Sequence, residues 1–373
     1  MIHKKKIVHL TSVHPAFDTR IFIKECKTLV QEGYDVALIA PNDKDDIIDG
    51  VRIRAVPKPT GRRERIVRTS RDVYRAALEE DANLYHFHDP ELIFIGMMLK
   101  IRGKTVVYDV HEDLPRQILT KPWIAPFFRR IVAVGAQIME NLCARYFDGV
   151  VTATETIADR FPSEKTVILH NYPILGELTV LDSESYSKRA PIAAYIGGIT
   201  LIRGIKEIVE AVSLIPQRLG VRLVLAGRFC PSELEFELRG SFSWKHVDYL
   251  GWQNRKQVAE LLDHARVGLV LLHPTLNYLE SYPVKLFEYM SAGIPVVASD
   301  FPLWREIIGS IGCGVLVDPF NPKSIADAIQ WLIEHPTEAE DMGKLGQEAI
   351  YKHYNWDKEA EKLLVLYEKL LQG

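Results

Sequence analysis

The amino-acid sequence predicts an α/β protein made of two doubly wound domains. Short β-branched runs, such as residues 105–110, alternate with longer segments of helical spacing, and this rhythm is typical of parallel sheets with crossover helices. The alternation restarts after the polar stretch 182–189. At 373 residues the chain also exceeds the length at which one hydrophobic core usually keeps growing. We therefore expect two domains, with a linker in the polar stretch.

The predicted strands set the order of elements in each half. The first half carries strand-like runs at residues 6–12, 35–41, 83–89, 105–110, 149–155 and 166–171, and the second half carries them at residues 192–197, 221–227, 247–251, 267–272 and 294–299. We place the domains at residues 1–185 and 186–355, and residues 356–373 form a closing amphipathic helix. In doubly wound sheets, ligands bind beyond the carboxyl ends of the strands, so the functional residues are expected there.

Composition excludes several classes of protein. The net charge of −3 argues against a dedicated nucleic-acid binder, which usually presents a strongly basic surface. The four cysteines are scattered without CxxC spacing, so we expect neither a zinc site nor a disulfide framework, as is typical of a reducing cytoplasm. The basic start of the chain runs directly into a strand and lacks the pattern of a signal peptide. No stretch is apolar enough to span a bilayer.

The densest group of candidate residues lies between positions 280 and 300. Pro283 is expected in the first turn of a helix, whose free N–H groups would face a phosphate. Lys285 and Glu288 are three residues apart on one face of that helix, and Glu280 stands in the preceding loop. A cation for a diphosphate and two carboxylates for sugar hydroxyls are what a nucleotide sugar requires. The alternative is a solvated Lys–Glu pair on an amphipathic helix.

The same segment carries a family resemblance. Glu280 and Glu288, separated by seven residues and followed by Gly-Ile-Pro-Val-Val-Ala at residues 293–298, resemble the motif of the retaining family 4 glycosyltransferases, which have the GT-B fold. The resemblance runs from the first strand to Trp356 and implies two Rossmann-like domains facing each other across a cleft, with the closing helix packing back on the first. It also implies that Glu288 binds the donor ribose, that Glu280 contacts the transferred sugar, and that no metal is bound.

A second group of candidates follows the strand at 192–197. Gly197 and Gly198 let the backbone approach a ligand closely. The family usually has Gly-Arg here and a Lys-Gly a few residues later, both cations contacting the donor phosphates. Arg203, which precedes a glycine, matches the second cation, whereas Gly198 stands in place of the first. We expect Lys285 to supply the missing charge, with Arg228 at the next strand end as the alternative. The alternative is that the segment binds no ligand and is only a glycine-containing turn with an exposed arginine.

The first half offers histidines and acids at three strand ends. His88 and Asp89 follow one strand, His111 follows the next, and Asp18 and Arg20 stand in the loop after the first. We expect His86 and His88 to point to opposite faces of their strand, which makes one of them structural and weakens a metal interpretation. The family places a histidine near the transferred sugar after the strand that ends at Val110, so His111 is the preferred candidate. His88, Asp89, Asp18 and Arg20 are expected on the acceptor side, although capping and structural roles are the alternative for each.

One basic stretch suggests a membrane contact. Residues 121–130 interleave cations with Trp123, Phe127 and Phe128, a composition suited to an anionic bilayer or a lipid-linked acceptor. The alternative is an ordinary loop and an exposed helix face.

The sequence thus predicts a retaining glycosyltransferase of the hexosyltransferase type, in the cytoplasm or peripheral at the inner membrane face. It would move a sugar from a UDP- or GDP-sugar to a glycan or lipid-linked acceptor, without a cofactor, a metal or a nucleic-acid partner, in polysaccharide or lipid-linked oligosaccharide synthesis. Two alternatives stay open: a nucleotide-sugar epimerase of the same fold, and a non-catalytic protein that binds nucleotide sugars.

Overall fold

The computed structural model describes residues 4–121, 124–178 and 185–372, which divide into two compact units. The first unit ends at Asn171 and resumes at Asp357, while the second runs from Tyr172 to Trp356. The boundary comes earlier than residue 185 because the ring of Tyr172 packs within the second unit, 4.8 Å from the ring of Phe287. Trp123 and residues 182–184 of the expected linker lie outside the described residues.

The first unit is built on an eight-stranded sheet in the order β3-β4-β2-β1-β5-β6-β7-β8. Every pairing is parallel except that of β3 with β4. The strands are β1 (Lys6–Leu10), β2 (Asp35–Pro41), β3 (Asp46–Ile48), β4 (Val51–Val56), β5 (Leu84–Phe87), β6 (Thr105–Val110), β7 (Gly149–Thr152) and β8 (Thr166–Ile168).

Helices cover both faces of this sheet, so two apolar clusters form, one on each face, as is typical of parallel sheets. The helices are α1 (Lys27–Gln31), which continues a π-helix at Thr19–Cys26, α2 (Arg62–Glu64), α3 (Ser70–Glu80), α4 (Ile93–Ile101), α5 (Leu114–Thr120), α6 (Pro126–Ala144) and α7 (Glu155–Ala158). The closing helix, α16 (Trp356–Gln372), places Leu363 and Tyr367 in the core of this unit.

The second unit has a six-stranded, wholly parallel sheet in the order β11-β10-β9-β12-β13-β14. Its strands are β9 (Ile192–Ile196), β10 (Arg222–Ala226), β11 (Val247–Gly251), β12 (Val267–Val270), β13 (Val296–Ser299) and β14 (Gly314–Val317). Its helices are α8 (Ile205–Leu214), α9 (Glu233–Arg239), α10 (Arg255–His264), α11 (Leu276–Leu279), α12 (Val284–Ser291), α13 (Pro302–Ile311), α14 (Pro322–Glu334) and α15 (Pro336–Lys352).

The predicted fold class is confirmed, and three strands are additions to it: the edge strands β3 and β14, and β4 next to β3. β3 and β4 form an antiparallel hairpin whose turn contains Asp49 at φ 51° and Gly50 at φ 80°. Positive φ at both turn residues matches the twist of a tight hairpin, and Asp-Gly is a common sequence for it. The third addition, β14, has four residues, of which only Val317 is buried, unlike the fully buried central strands β12 and β13.

The parallel strands bring the candidate residues to the carboxyl ends of the two sheets, where doubly wound proteins bind ligands. Among the described residues, no helix combines the length and hydropathy needed to cross a membrane.

Candidate active site

Glycines shape the strand ends of the second unit. Gly197 follows β9 with φ 102°, a conformation that L side chains rarely adopt. A Cβ on Gly227, which follows β10, would lie 1.8 Å from the carbonyl oxygen of Gly197. Gly204 has φ 68° and turns the chain into α8. The backbone at the carboxyl ends of β9 and β10 therefore requires glycine at these positions.

Arg203 occupies the space that Gly198 leaves open. Its Nη1 donates a hydrogen bond to the carbonyl oxygen of Gly198 at 3.1 Å, and the hydroxyl of Tyr195 donates to the same oxygen at 2.7 Å. A Cβ on Gly198 would lie 2.7 Å from that Nη1. The glycine that replaces the usual family cation is thus the residue that admits the arginine.

Lys285 is the second basic residue near the carboxyl end of β9. Its Nζ is buried and lies 3.8 Å from the ring centroid of Tyr195, but it has no hydrogen-bond partner among the described residues. Burial lowers the pKa of Lys285 well below its usual range, and the charge of Arg203 lowers it further. The solvated Lys–Glu pair that the sequence left open is therefore not what forms. Arg203 and Lys285 are thus close enough for the charge of the arginine to affect the pKa of the lysine.

Glu288 lies one turn after Lys285 and is engaged by an arginine that the sequence did not single out. Arg255 donates from Nη1 to Oε1 of Glu288, and from Nε and Nη2 to the two carboxylate oxygens of Glu177, at 2.8 and 2.6 Å. Glu288 is 7% exposed. Arg255 begins α10 behind an Asn254 capping box, a signal that predicts the helix start but not the pair.

Glu280 and Pro283 frame the loop before α12. Glu280 is exposed and ends α11, while the indole of Trp304 donates to the carbonyl oxygen of Ser281 at 2.8 Å and fixes the loop. Pro283 was expected inside the first turn, and this is wrong by one position. It is the cap residue with extended backbone, φ −70° and ψ 120°, because α12 begins at Val284. Arg228 is exposed, and its guanidinium lies 5.9 Å from the ring centroid of Trp252.

In the first unit, Asp109 is the centre of a buried polar network. Its Oδ2 lies 3.2 Å from Nδ1 of His88 and 3.0 Å from Nε2 of His111. Arg20 donates to both of its carboxylate oxygens, at 3.2 and 3.0 Å. Burial opposes the charge of Asp109, but Arg20 and the histidines hold its pKa well below the usual range. A buried carboxylate therefore stays ionised.

The expectation that His86 and His88 point to opposite faces is wrong. Their rings stack with centroids 4.7 Å apart, because side chains two residues apart on a strand share a face. His9 on the neighbouring β1 joins them, with its Nδ1 2.9 Å from Nε2 of His88. The fourth member, Glu25, lies in the π-helix before α1, where no motif marks it.

Electrostatics in this cluster depress the basicity of the histidines. Burial lowers the pKa of His9 and His86 well below the usual value, and it lowers the pKa of His88 to about 4. Burial, together with the charge of Asp109, raises the pKa of Glu25 well above its usual range. Arg20 and Asp109 then form a buried ion pair, and the raised pKa of the neighbouring Glu25 favours its neutral form.

Two sets of side chains in the first unit could bring ligand atoms to a metal: His9, Glu25, His86 and His88, and the trio His88, Asp109 and His111. Both sets share His88, whose two ring nitrogens already lie within hydrogen-bond distance of His9 and Asp109. Among the described residues, however, both carboxylate oxygens of Glu25 and Nε2 of His86 are buried without a hydrogen-bond partner. The sequence expectation of no metal stays a prediction.

The other predicted residues of the first unit have internal partners. Asp18 accepts hydrogen bonds from the backbone N–H groups of Arg20 and Ile21 and caps the π-helix. Asp89 accepts from the Thr11 hydroxyl at 2.7 Å and from backbone N–H groups of the β1 loop. Arg20 is only 4% exposed. These contacts favour the capping and structural alternatives for all three.

Among the residues predicted in the first unit, His111 both contacts Asp109 and is partly exposed to solvent. Its side chain is 17% exposed, whereas that of His88 is fully buried. His14, which the sequence did not single out, lies beside it with ring centroids 5.2 Å apart, and its side chain is 29% exposed. Burial opposes protonation of His14, but the Asp18 and Asp89 carboxylates raise its pKa.

Two family models match the chain. Residues 20–171 match the model described as Glycosyltransferase Family 4, and residues 182–349 match the one described as Glycosyl transferases group 1. The first match covers most of the first unit, and the second covers most of the second unit.

Known relatives and solved structures agree with these matches. A phosphatidyl-myo-inositol mannosyltransferase of Mycobacterium leprae is 24% identical over 351 residues, which cover 90% of this chain and 88% of the relative. Sucrose-phosphate synthase from Thermosynechococcus elongatus superposes with a TM-score of 0.79 at 18% identity, over 99% of this chain and all of that one. HepE of Anabaena, solved with UDP-glucose, gives a TM-score of 0.73 at 14% identity, covering 98% and 99%.

Proposed function

The chain belongs to glycosyltransferase family 4 and has the GT-B fold, and on that premise we propose that it transfers a sugar, with retention of configuration, from a UDP- or GDP-sugar bound by its second unit. The transferase class follows from the family. The donor, the acceptor and the stereochemistry are parts of the proposal.

The cationic pair of Arg203 and Lys285 carries this proposal. Among the described residues neither side chain forms an ion pair, and Nζ of Lys285 lies against the Tyr195 ring without a hydrogen-bond partner. A diphosphate supplies the missing negative charge, and hydrogen bonds to a charged phosphate are the strong kind. A sulfate or a single phosphate would also be attracted, but the carboxylates of Glu280 and Glu288 on the same α11–α12 segment suit a ligand with hydroxyl groups.

In the proposed chemistry, negative charge grows on the diphosphate as it leaves the sugar. An acceptor hydroxyl oxygen bonds to the anomeric carbon on the face from which the diphosphate leaves, and the bond from that carbon to the phosphate oxygen breaks with its electron pair staying on oxygen. A phosphate oxygen takes the hydroxyl proton, so no protein base is consumed. Arg203 and Lys285 stabilise the growing negative charge. In this proposal Glu288 binds the ribose, and Glu280 binds the sugar.

The first unit is proposed to bind the acceptor through His111, which has the exposure for contact. His88, Asp89, Asp18 and Arg20, expected on the acceptor side, would act through the positions of His111 and the β1 loop. The mannosyltransferase relative is named for a phosphatidyl-inositol compound, and this supports a lipid-linked or glycan acceptor for polysaccharide or lipid-linked oligosaccharide synthesis. The proposed location is the cytoplasm at the inner membrane face, and the four unpaired cysteines suit a reducing compartment.

A panel of nucleotide sugars tests this function. A ligand that binds only the folded protein raises the melting temperature by mass action. We expect one UDP- or GDP-sugar to raise it and the matching nucleoside diphosphate to be released when acceptor is added, with a glycosylated product. An epimerase would convert the donor without a glycosylated product, and a binding protein would release no diphosphate. Either result, or no shift with any member of the panel, contradicts the proposal.

A further inference from the structure

Helix α6 exposes an apolar surface that the donor chemistry does not use. Of its 19 residues, only Ala133, Glu140 and Ala144 are buried. Five large apolar side chains recur every three or four residues and are each more than half exposed, and we call them the α6 stripe: Phe127 (79%), Ile131 (61%), Val134 (54%), Ile138 (54%) and Leu142 (51%). This spacing aligns them along one side of the helix, over about 22 Å at the usual rise per residue.

Neighbouring residues widen the stripe. Phe128 is 56% exposed, Val132 is 44% exposed, and Tyr146 just beyond the helix is 66% exposed. The rings of Phe127 and Phe128 pack against each other with centroids 5.4 Å apart, at the start of the helix. Soluble monomers rarely leave a continuous apolar patch of this kind in water, and such patches mark contact surfaces.

The exposed charges of α6 are all positive. Arg130 is exposed, and Arg145 follows the helix and is exposed as well. The only acid of the helix, Glu140, is completely buried, where it accepts hydrogen bonds from Arg160 and from the Tyr108 hydroxyl. The outward surface therefore combines apolar side chains with cations and presents no carboxylate of its own helix.

We propose that the α6 stripe, with Arg130 and Arg145, binds the surface of an anionic lipid bilayer. An amphipathic helix that lies in the interface buries its apolar side among the acyl chains and keeps its basic residues at the headgroups. Each Lys or Arg near an anionic surface adds to the attraction. A second copy of the chain is the rival occupant, but pairing two such surfaces would bring cations together without an acid from either α6.

This inference deepens the proposed function by naming the surface at which a lipid-linked acceptor would be met. It replaces the sequence expectation of a short basic stretch at 121–130 with a contact along the whole helix. Vesicle binding is measured without donor or acceptor, so it can fail while sugar transfer stands, and sugar transfer can fail while binding stands.

The test is co-flotation of the full chain with vesicles of phosphatidylcholine alone or mixed with an equal part of phosphatidylglycerol. We expect binding to the anionic vesicles at about 0.1 M salt, and weaker binding at about 0.5 M, because salt screens the arginines. The Ile131→Glu/Ile138→Glu variant should bind at least tenfold more weakly. The Arg130→Glu/Arg145→Glu variant should lose the preference for phosphatidylglycerol.

The matched control is Phe236→Glu/Phe242→Glu in the second unit, which changes two apolar side chains that are 85% and 78% exposed. It should bind vesicles like the unchanged chain. Circular dichroism melts show whether each variant is folded, and the exposed arginine pair gives a second variant if the isoleucine pair is not. Equal vesicle binding by the folded isoleucine variant overturns the proposal. A dimer in light scattering that the isoleucine variant dissociates, without vesicle binding by the unchanged chain, assigns the stripe to a second copy instead.

Discussion

The side chains of Arg203 and Lys285 lie near one strand end of the second unit, and burial affects their charges differently. Guanidinium keeps its charge under all ordinary conditions, whereas an ammonium loses its proton readily when it is buried. The pKa of Lys285 is lowered first by burial and then by Arg203. The protein therefore carries one permanent charge and one that a bound anion can restore.

This difference predicts proton uptake on binding. At about pH 8.5, below the usual lysine pKa, the lowered pKa favours the neutral amine of Lys285 in the free protein, and we expect a bound diphosphate to raise that pKa again. Calorimetric titration of the matching nucleoside diphosphate in two buffers of different ionisation enthalpy should show uptake of protons. Lys285→Met should abolish the uptake, while Lys206→Met, which changes an exposed lysine of α8 paired with Glu237, should not. Equal proton uptake by Lys285→Met would show that another group titrates.

Glu288 is expected to act on the nucleotide. It lies one turn into α12, and its carboxylate is bonded on one side by Arg255. Glu288→Ala should weaken nucleoside diphosphate binding by about 1.5–3 kcal/mol, the usual loss for a hydrogen bond to a charged group. Glu260→Ala, which removes an exposed carboxylate from α10, serves as the control and should leave the affinity unchanged. Unchanged affinity in folded Glu288→Ala would remove Glu288 from the ribose.

At the scale of elements, the ends of β9 and β10 approach so closely that their loops constrain each other. Gly227→Ala should lower the melting temperature and weaken nucleotide binding, because its Cβ would lie 1.8 Å from the Gly197 oxygen, and overpacking typically costs about 1–3 kcal/mol. Gly309→Ala is the control. It lies in α13 with open space around it, and alanine there should stabilise the helix by about 1 kcal/mol. Similar effects of the two substitutions would contradict the close approach.

The same elements show what a sequence can predict. Repeated β-branched runs predicted the central strands, since a strand buried on both faces needs a continuous apolar run. The motif predicted helix α12 with Glu288 in it and Glu280 in the loop before it, because spacing along one chain segment is visible in sequence. Arg255 and Glu25 were not predicted, because Arg255 meets Glu177 and Glu288, and Glu25 meets His86 and His88, across separations that no local pattern records.

At the scale of the whole molecule, we expect catalysis without a divalent metal. The acidic pair that most resembles a metal-binding motif in the sequence is Asp45 and Asp46. Asp45 accepts a hydrogen bond from the Ala55 N–H, and Asp46 lies in edge strand β3. In the proposed mechanism, Arg203 and Lys285 stabilise the leaving group in a metal's place. Dialysis against a chelator should leave the transfer rate unchanged. A rate that falls and returns with manganese or magnesium would contradict this expectation.

The central claim is that Arg203 and Lys285 stabilise the departing diphosphate, and its most direct test is kcat and donor KM for Arg203→Ala and Lys285→Ala. Charge on the diphosphate grows as the glycosidic bond breaks, so each cation should stabilise the transition state more than the bound donor. We predict that each folded variant loses about two to three powers of ten in kcat, with a smaller change in KM. Nearly full kcat in Lys285→Ala would contradict the account and direct attention to Arg228.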